Sequence, residues 1–221
     1  MIKIRDLKKS FKQWEQKNII IKKLNLEIET GEFISVIWRS WSWKTTFLNM
    51  LAGLINFDDW EIKFWEENYS DKTSDELTAF RWQNISFVFQ QFHLVPNLTV
   101  RENIELPLDI NKIKARFSVR EILKKVWLSK KENSYPFELS WGEQQRVAIA
   151  RAFIWETKLL LADEPTWNLD IENANNIMEI LRDLHKETKN TVVLISHDIE
   201  MEKYSDKVYE IKNKFFNKLE N

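Results

Sequence analysis

A lysine and a threonine lie where a buried strand gives way to a loop and then to a helix. Lys44 and Thr45 end the stretch W-R-S-W-S-W-K-T of residues 38–45, which follows the apolar run 33–37. In this position a loop of the form G-x-x-x-x-G-K-[ST] binds phosphates through its backbone N–H groups and its lysine, and its hydroxyl ligates Mg²⁺. The alternative is an ordinary polar turn, because the glycines that let the backbone approach a phosphate are absent. This loop alone does not separate the two interpretations.

Two carboxylates follow a second apolar run. Asp163 and Glu164 come directly after residues 159–162, L-L-L-A, and stand before Pro165. A buried strand that ends in two carboxylates places the first to bind a metal ion and the second beside an attacking water. Taken alone, the pair is better explained as the start of a turn. Together with a phosphate-binding loop, the catalytic interpretation is favoured.

A third segment has the pattern of a helix start. In residues 139–146, L-S-W-G-E-Q-Q-R, Ser140 can cap a helix and Glu143, three residues later, can complete a capping box. A well-capped helix is the simpler interpretation. The more specific one is that the helix N-terminus, with its unpaired N–H groups and the positive end of its dipole, faces a phosphate.

The elements that must position these residues alternate between strands and helices. Apolar runs at residues 85–89 and 191–195 predict two more buried strands. Two helices with one apolar face are also predicted, with Phe47, Leu51 and Leu54 on the first, and Ile177, Ile180, Leu181 and Leu184 on the second. Gly53 lies where the first helix needs a C-terminal cap. This alternation predicts a mostly parallel sheet covered on both faces.

Two regions depart from that alternation. Residues 96–154 contain helical patterns at 119–126 and 143–153 but no convincing strand, and we interpret them as a helical insertion. The first 30 residues alternate between apolar and polar, which suits a small antiparallel sheet beside the core.

Composition restricts the class of protein. The 33 Lys and Arg residues nearly balance the 34 Asp and Glu residues, so charge gives no argument for binding nucleic acid or an anionic membrane. No apolar run reaches the roughly 18 residues of a membrane span, and the first ten residues lack a secretory signal, so we expect a soluble cytoplasmic chain. The absence of cysteine excludes disulfides and thiolate metal sites, so a bound metal would have oxygen ligands.

Residues 139–146 resemble the signature motif of ABC ATPases, L-S-G-G-[EQ]-Q-Q-R, with Trp141 in place of the first glycine. The other motifs of that family match in order along nearly the whole chain: Gln90 resembles the Q-loop, residues 168–170 the D-loop and His197 the switch histidine. Residues 94–108 and 162–170 resemble the subgroup that serves lipoprotein release, macrolide or peptide export and cell-division complexes.

The resemblance implies a fold and a domain organisation. We expect an α/β fold with a P-loop NTPase (RecA-like) core, a small antiparallel β subdomain and a helical subdomain. The whole chain, 1–221, would be one ABC ATPase domain. Its core and β subdomain would comprise about residues 1–90 and 155–221, and its helical subdomain about residues 91–154.

The resemblance also assigns roles to individual residues. ATP would be bound by Phe11, which stacks on adenine, and by Trp38, Arg39, Ser40, Trp41, Ser42, Trp43, Lys44, Thr45 and Thr46. Mg²⁺ would be held by Thr45, Gln90 and Asp163. The catalytic residues would be Glu164, His197 and Gln90. The ATP of a second copy would be contacted by Leu139, Ser140, Trp141, Gly142 and Glu143, and the D-loop residues Asn168, Leu169 and Asp170 would couple the two sites.

The expected function is ATP hydrolysis that powers a membrane transporter, of an exporter or a lipoprotein- or peptide-extrusion type. The expected partners are a second ATPase subunit and an integral-membrane permease, with no nucleic acid. The permease would dock beside the Q-loop on Phe92, His93, Leu94, Pro96 and Leu98, unless these residues only pack locally, and would hold the chain at the inner face of the cell membrane. The alternatives are a soluble ABC ATPase acting on nucleic acid or ribosomes, and a non-hydrolysing regulatory subunit.

Tryptophan stands where the family has glycine. The chain has 11 Trp and 3 Gly, and exchanging every Trp for Gly would give 14 glycines in 221 residues, an ordinary glycine content. Five lie in family motifs (Trp38, Trp41, Trp43, Trp141, Trp167), and six lie where a turn or loop is expected (Trp14, Trp60, Trp65, Trp82, Trp127, Trp155). Our hypothesis is that UGA codons, decoded as glycine in the source organism, are translated here as tryptophan. The rival is a genuine chain with degenerate motifs, which would bind ATP poorly.

Peptide mass spectrometry on the protein from its own cells should therefore find glycine at positions 38, 41, 43, 141 and 167. Each exchange lowers the peptide mass by the difference between an indole side chain and a hydrogen, so the readout is unambiguous. Tryptophan at these five positions would argue against ATP hydrolysis by this chain and would favour the alternative of a non-hydrolysing regulatory subunit.

Overall fold

A computed structural model describes residues 1–13, 16–38, 44–55, 59–65, 67–212 and 215–219. They fall into two compact units. The first comprises Met1–Gln83 with Thr191–Asn221, and the second Asn84–Asn190.

The first unit contains most of the strands. They are β1 (Ile2–Gln13), β2 (Gln16–Ile28), β3 (Phe33–Trp38), β4 (Asp59–Phe64) and β5 (Glu67–Asn68). The second unit contains β6 (Ile85–Val88) and β7 (Leu159–Asp163), and the first unit resumes with β8 (Thr191–Ser196), β9 (Lys207–Lys212) and β10 (Phe215–Leu219).

The helices are concentrated in the second unit. Helix α1 (Lys44–Leu51) and nearly all of α2 (Ser74–Asn84) belong to the first unit. The second unit holds α3 (Val100–Asn111), α4 (Val119–Lys125), α5 (Trp141–Phe153) and α6 (Ile171–Thr188). No helix in the described ranges is long and apolar enough to cross a membrane.

The amino-terminal strands form the predicted antiparallel arrangement. Strand β1 pairs antiparallel with both β2 and β4. Because side chains alternate across a sheet, one face carries the buried residues, and these are Ile2, Ile4, Leu7, Leu24, Leu26 and Ile28. The prediction of a small antiparallel sheet is confirmed.

Parallel pairing joins β3 to both of its neighbours in the first unit, while β9 and β10 pair antiparallel. Strand β3 pairs in parallel with β8 on one side and with β9 on the other. Residues 33–37 and 191–195 are almost completely buried, which confirms the two predicted strands. Continuous apolar runs are the expected pattern for parallel strands, because both of their faces are covered.

Helix α1 ends earlier than its pattern predicts. Phe47 and Leu51 are buried as expected, but Leu54 lies beyond the helix end and is 54% exposed, so its assignment to the apolar face is wrong. The reason is Gly53, which has φ +64°. Its N–H donates to the carbonyl of Met50 and the next N–H donates to that of Asn49, a Schellman motif that turns the chain away.

The second unit contains the predicted helical region. Strands β6 and β7 pair in parallel. Between them, the residues from 91 to 154 form helices and turns, joined to the following segment by an isolated bridge between Ala115 and Trp155. The predicted apolar face of α6 is confirmed, since Ile177, Ile180, Leu181 and Leu184 are all buried.

Helix α4 ends in the same motif as α1, but with tryptophan at the position of the glycine. Trp127 has φ +60°, its N–H donates to the carbonyl of Lys124, and the N–H of Leu128 donates to that of Leu123. The left-handed backbone costs a residue with a Cβ about 1–2 kcal/mol. Lys112 and Lys189 also adopt it at helix ends, so side chains are tolerated there at that cost.

Trp127→Gly should therefore raise the free energy of unfolding by about 1 kcal/mol, because relief of backbone strain exceeds the loss of a half-exposed indole. Chemical denaturation monitored by circular dichroism measures this. The matched control is Trp82→Gly, since Trp82 is similarly exposed (46% against 52%) but lies within α2. There glycine should lower stability by about 0.5 kcal/mol. Equal changes in the free energy of unfolding for the two variants would contradict the inference that the backbone at Trp127 is strained.

Candidate functional site

The first unit carries the candidate phosphate loop. Trp38 is the last residue of β3, and Lys44 and Thr45 open α1, so the predicted strand and the predicted helix are both present. Thr46 is half-buried in the first turn of α1. Arg39, Ser40, Trp41, Ser42 and Trp43 lie outside the described residues. The backbone of Phe11 lies in β1 opposite Asn18.

His197 lies at the same sheet edge as this loop. Strands β3 and β8 run in parallel with Ile37 opposite Ser196, so Trp38 and His197 are the next residues at neighbouring carboxyl ends. The His197 side chain is exposed. In open parallel sheets, ligands bind outside the carboxyl ends of the strands, and this edge is therefore a candidate ligand site.

Strands β6 and β7 give the second unit a comparable edge. Val88 lies opposite Ala162, so Gln90 lies just beyond the carboxyl end of β6, while Asp163 is the last residue of the neighbouring β7 and Glu164 follows it. Both carboxyl side chains are buried, at 8% and 7% exposure, while Gln90 is half-buried. Buried carboxylates at such an edge are candidates for metal binding and for base chemistry.

Glu164 has a left-handed backbone with φ +44°. Its carbonyl accepts a hydrogen bond of 3.0 Å from the N–H of Trp167, which closes the turn after β7. A non-glycine residue held in this conformation is strained, and such strain concentrates at functional sites. The conformation thus adds a structural reason to regard Glu164 as functional.

The described residues contain no cluster of three or more His, Cys, Asp or Glu side chains that could hold a metal ion. This fits Mg²⁺ in a nucleotide site, where one or two carboxylates suffice because phosphate oxygens and water supply the remaining ligands. Asp163, the Thr45 hydroxyl and the Gln90 amide oxygen are donors of the kind that Mg²⁺ accepts.

The predicted capping box at the start of α5 is present. The Ser140 side chain accepts from the N–H of Glu143, and the Glu143 carboxylate accepts from the N–H of Ser140 at 2.9 Å. Burial raises the pKa of Glu143, but hydrogen bonds from the Ser140 backbone and Lys131 outweigh it and lower the pKa overall. Glu143 is thus ionised at neutral pH, and the exposed helix start is held rigidly.

The D-loop residues lead into α6. Asn168 is exposed with φ +59°, Leu169 is half-buried, and Asp170 caps the helix. Asp170 accepts hydrogen bonds from the backbone N–H of Asn173 at 2.8 Å and from its side chain at 2.7 Å. These bonds, the backbone one first, lower the pKa of Asp170, so its carboxylate is charged at neutral pH.

Asn173 also connects the D-loop to the signature segment. A Cβ built on Gly142 would lie 3.0 Å from the Asn173 Oδ1 atom, so a larger residue there would push against the side chain that holds Asp170. Gly142 is buried in the first turn of α5. The two motifs are therefore in contact within the second unit, a link that sequence reasoning missed because Asn173 belongs to neither motif.

A groove of about 580 Å³ lies beside these motifs in the second unit. Phe92 and Trp141 face each other across part of it, edge to face at 5.6 Å. Its lining brings together the predicted docking residues and parts of three motifs, namely Gln90, Gln91, Phe92, His93, Leu94, Pro96, Pro136, Phe137, Trp141, Gln144, Trp167 and Asn168. Leu98 is not part of this lining.

These two parallel-strand edges, with a lysine-bearing helix start on one and buried carboxylates on the other, define a nucleotide-binding protein of the P-loop class. Residues 21–167 match the family described as ABC transporter. The chain belongs to this family of ABC ATPases.

Curated relatives cover nearly the whole chain. An uncharacterized ABC transporter ATP-binding protein, MJ0796 of Methanocaldococcus jannaschii, is 39% identical over 96% of this chain and 94% of that protein. The lipoprotein-releasing system ATP-binding protein LolD of Saccharophagus degradans is 35% identical over 99% and 97%. The macrolide export ATP-binding/permease protein MacB of Mannheimia succiniciproducens is 36% identical over 96% of this chain and 33% of its own length.

A solved structure agrees with the fold. The ATP-binding cassette MJ0796, in a dimeric post-hydrolysis state bound to ADP and Pi, superimposes with a TM-score of 0.86 at 38% identity, covering 100% of both chains. The expected fold class is thus confirmed, as is the assignment to the ABC ATPases.

Proposed function

We propose that this chain is the ATP-hydrolysing subunit of a membrane transporter of the exporter or lipoprotein- and peptide-extrusion type. The observation that carries the proposal is the groove of the second unit, which joins α5 at Gln144 to the segment after Gln90. A surface shared by these two motifs is where a partner could sense the nucleotide. The similarity to LolD and MacB supports the transporter type.

Within the nucleotide site, Lys44 and the amides of residues 38–45 would hold the phosphates, and Phe11 would stack on adenine. Bound Mg²⁺, held by Thr45, Gln90 and Asp163, would neutralise charge on the β and γ phosphates. Glu164 would orient the attacking water and accept its proton, and His197 would contact the γ-phosphate. The burial and the strained backbone of Glu164 support its role.

A second copy would complete the site. The exposed start of α5 presents Ser140 and unpaired N–H groups, and such a helix start is suited to a phosphate. It would contact the ATP of the other copy, with Leu139, Trp141, Gly142 and Glu143 shaping the surface and Asp170 coupling the two sites. The dimeric structure of the relative bound to ADP and Pi supports this arrangement.

The groove would receive a permease at the inner face of the cell membrane, and the chain would then be cytoplasmic and peripheral to the membrane. Leu94 and Phe92 are half-buried in its wall, and Phe137 is 77% exposed beside them. Apolar side chains around a concave surface, rimmed by polar groups, are suited to a protein segment. The division into core, β and helical subdomains is part of the same proposal.

Activity would require glycine at the tryptophan positions, as the codon hypothesis holds. Trp127 occupies a position where glycine is preferred, and Trp65, with φ +56°, lies in the two-residue connection between β4 and β5, where glycine is also favoured. The Trp155 Nε1 atom is buried without a hydrogen-bond partner in the described structure. These three sites, outside the nucleotide motifs, support a systematic exchange, whereas the expectation of a turn or loop is wrong for Trp60, which lies in β4, and for Trp82, which lies in α2. Genuine tryptophans would favour the regulatory subunit.

Leu94→Glu should abolish co-purification of this chain with its integral-membrane partner, reducing it at least about tenfold, because a buried charge would lie against the docked segment. Quantitative pull-down from detergent-solubilised membranes measures this. The matched control is Ile110→Glu on α3, a 59% exposed aliphatic residue that does not line the groove. Unchanged binding by Leu94→Glu would mean that these residues only pack locally.

Glu164→Gln, made in the chain with glycine at the eleven positions, should lower ATP turnover at least about a hundredfold and trap an ATP-bound dimer. Turnover assays and size-exclusion chromatography with ATP and Mg²⁺ give both readouts. Glu156→Gln is the control, since Glu156 is an exposed carboxylate a few residues before β7. Normal turnover by the Glu164 variant would count against its role.

A further inference from the structure

The turn after the Q-loop glutamine is attached to helix α5 by an arginine outside every motif. Arg151 donates from Nη1 to the carbonyl of His93 and from Nη2 to that of Phe92, each at 2.7 Å. Within the described structure these two carbonyls are the partners of its guanidinium, and no carboxylate pairs with it. Both terminal nitrogens of the planar guanidinium therefore donate to consecutive backbone carbonyls, those of Phe92 and His93.

This attachment is rigid for physical reasons. Hydrogen bonds from a charged donor are roughly twice as strong as neutral ones, and Arg151 is only partly accessible to water. Burial lowers its pKa, yet arginine stays charged at neutral pH. Its two bonds hold a turn whose second residue, His93, has a left-handed backbone of φ +46°. Without these two hydrogen bonds, the backbone at His93 could relax from its strained conformation.

Other contacts strengthen the same connection. Gln145, also on α5 and 1% exposed, donates from Nε2 to the carbonyl of Phe89 at 3.4 Å. Phe89 and His93 pack edge to face at 4.9 Å. The segment from Phe89 to His93 is thus tied to α5 at three carbonyls and forms one wall of the groove.

We propose that Arg151 is a positioning residue that fixes the groove wall to α5, so that a partner in the groove and the phosphate-facing start of this helix move together. The inference rests on the proposed function, because it concerns how the permease would influence ATP turnover. Arg151 itself contacts neither nucleotide nor partner. Loss of Arg151 should leave the binding of ATP and the binding of the permease intact, but permease binding should no longer change ATP turnover.

The test compares Arg151→Met with the parent chain, both with glycine at the eleven positions, in complex with the permease in lipid vesicles. Stimulation of ATP turnover by the permease should fall at least about fivefold, the scale of a typical coupling between sites. The KM for ATP and the turnover of the free subunit should stay within about twofold. Arg151→Lys, which keeps the charge and can reach one carbonyl, should restore part of the stimulation.

Hydrogen–deuterium exchange on the free subunit tests the contact separately. In Arg151→Met, amide exchange in residues 91–95 should rise at least about tenfold, since loss of a charged hydrogen bond weakens local protection by that order. Arg116→Met is the matched control, because Arg116 also donates to a backbone carbonyl of the second unit, that of Thr188, and does not line the groove. It should change neither exchange in 91–95 nor stimulation.

Three outcomes would overturn the proposal. Unchanged exchange in residues 91–95 would mean that Arg151 does not hold the turn. Raised exchange with full stimulation would mean that the turn does not connect the sites. A parent complex without any stimulation would refute the proposed function itself, and is recognisable because the parent fails as well as the variant.

Discussion

Parallel pairing of buried strands decides where the candidate catalytic side chains lie. Because side chains within such strands are covered on both faces, charged groups are favoured only at or beyond the strand ends. In the first unit this places Trp38 and His197 at neighbouring strand ends, and in the second it places Gln90 and the pair Asp163 and Glu164 at the ends of neighbouring strands. The positions of the candidate catalytic residues thus depend on backbone hydrogen bonds between strands whose interior residues are mostly apolar.

The sequence predicted the strands and helix faces well where a continuous or periodic apolar pattern exists. Residues 33–37, 159–162 and 191–195 are buried strands, and the apolar face of α6 is buried. The assignment of Leu54 to the apolar face of α1 was wrong, because periodicity does not show that Gly53, with its left-handed backbone, ends the helix. Helix α3 was not predicted individually, and Pro107 within it is a residue that ordinarily argues against a helix.

For the candidate site, the sequence identified motifs but not the contacts between them. The capping box at Ser140 follows from local spacing and is confirmed. The contact of Gly142 with Asn173, and that of Arg151 with the turn at His93, join residues that are 31 and 58 positions apart. No sequence pattern around Asn173 or Arg151 indicates which residue each of them contacts. The catalytic, nucleotide-binding and metal-binding roles assigned to the site residues all remain predictions.

The left-handed backbone of Glu164 bears on which residue natural selection retains at this position. At this position glycine or asparagine would adopt the backbone conformation more easily, and ordering the three χ angles of a glutamate in a buried turn costs conformational entropy. Backbone strain alone would therefore disfavour glutamate there. Proteins that keep such residues accept a less stable fold in exchange for activity. A lineage that lost its need for this carboxylate would be expected to replace it early, and to become more stable as it did so.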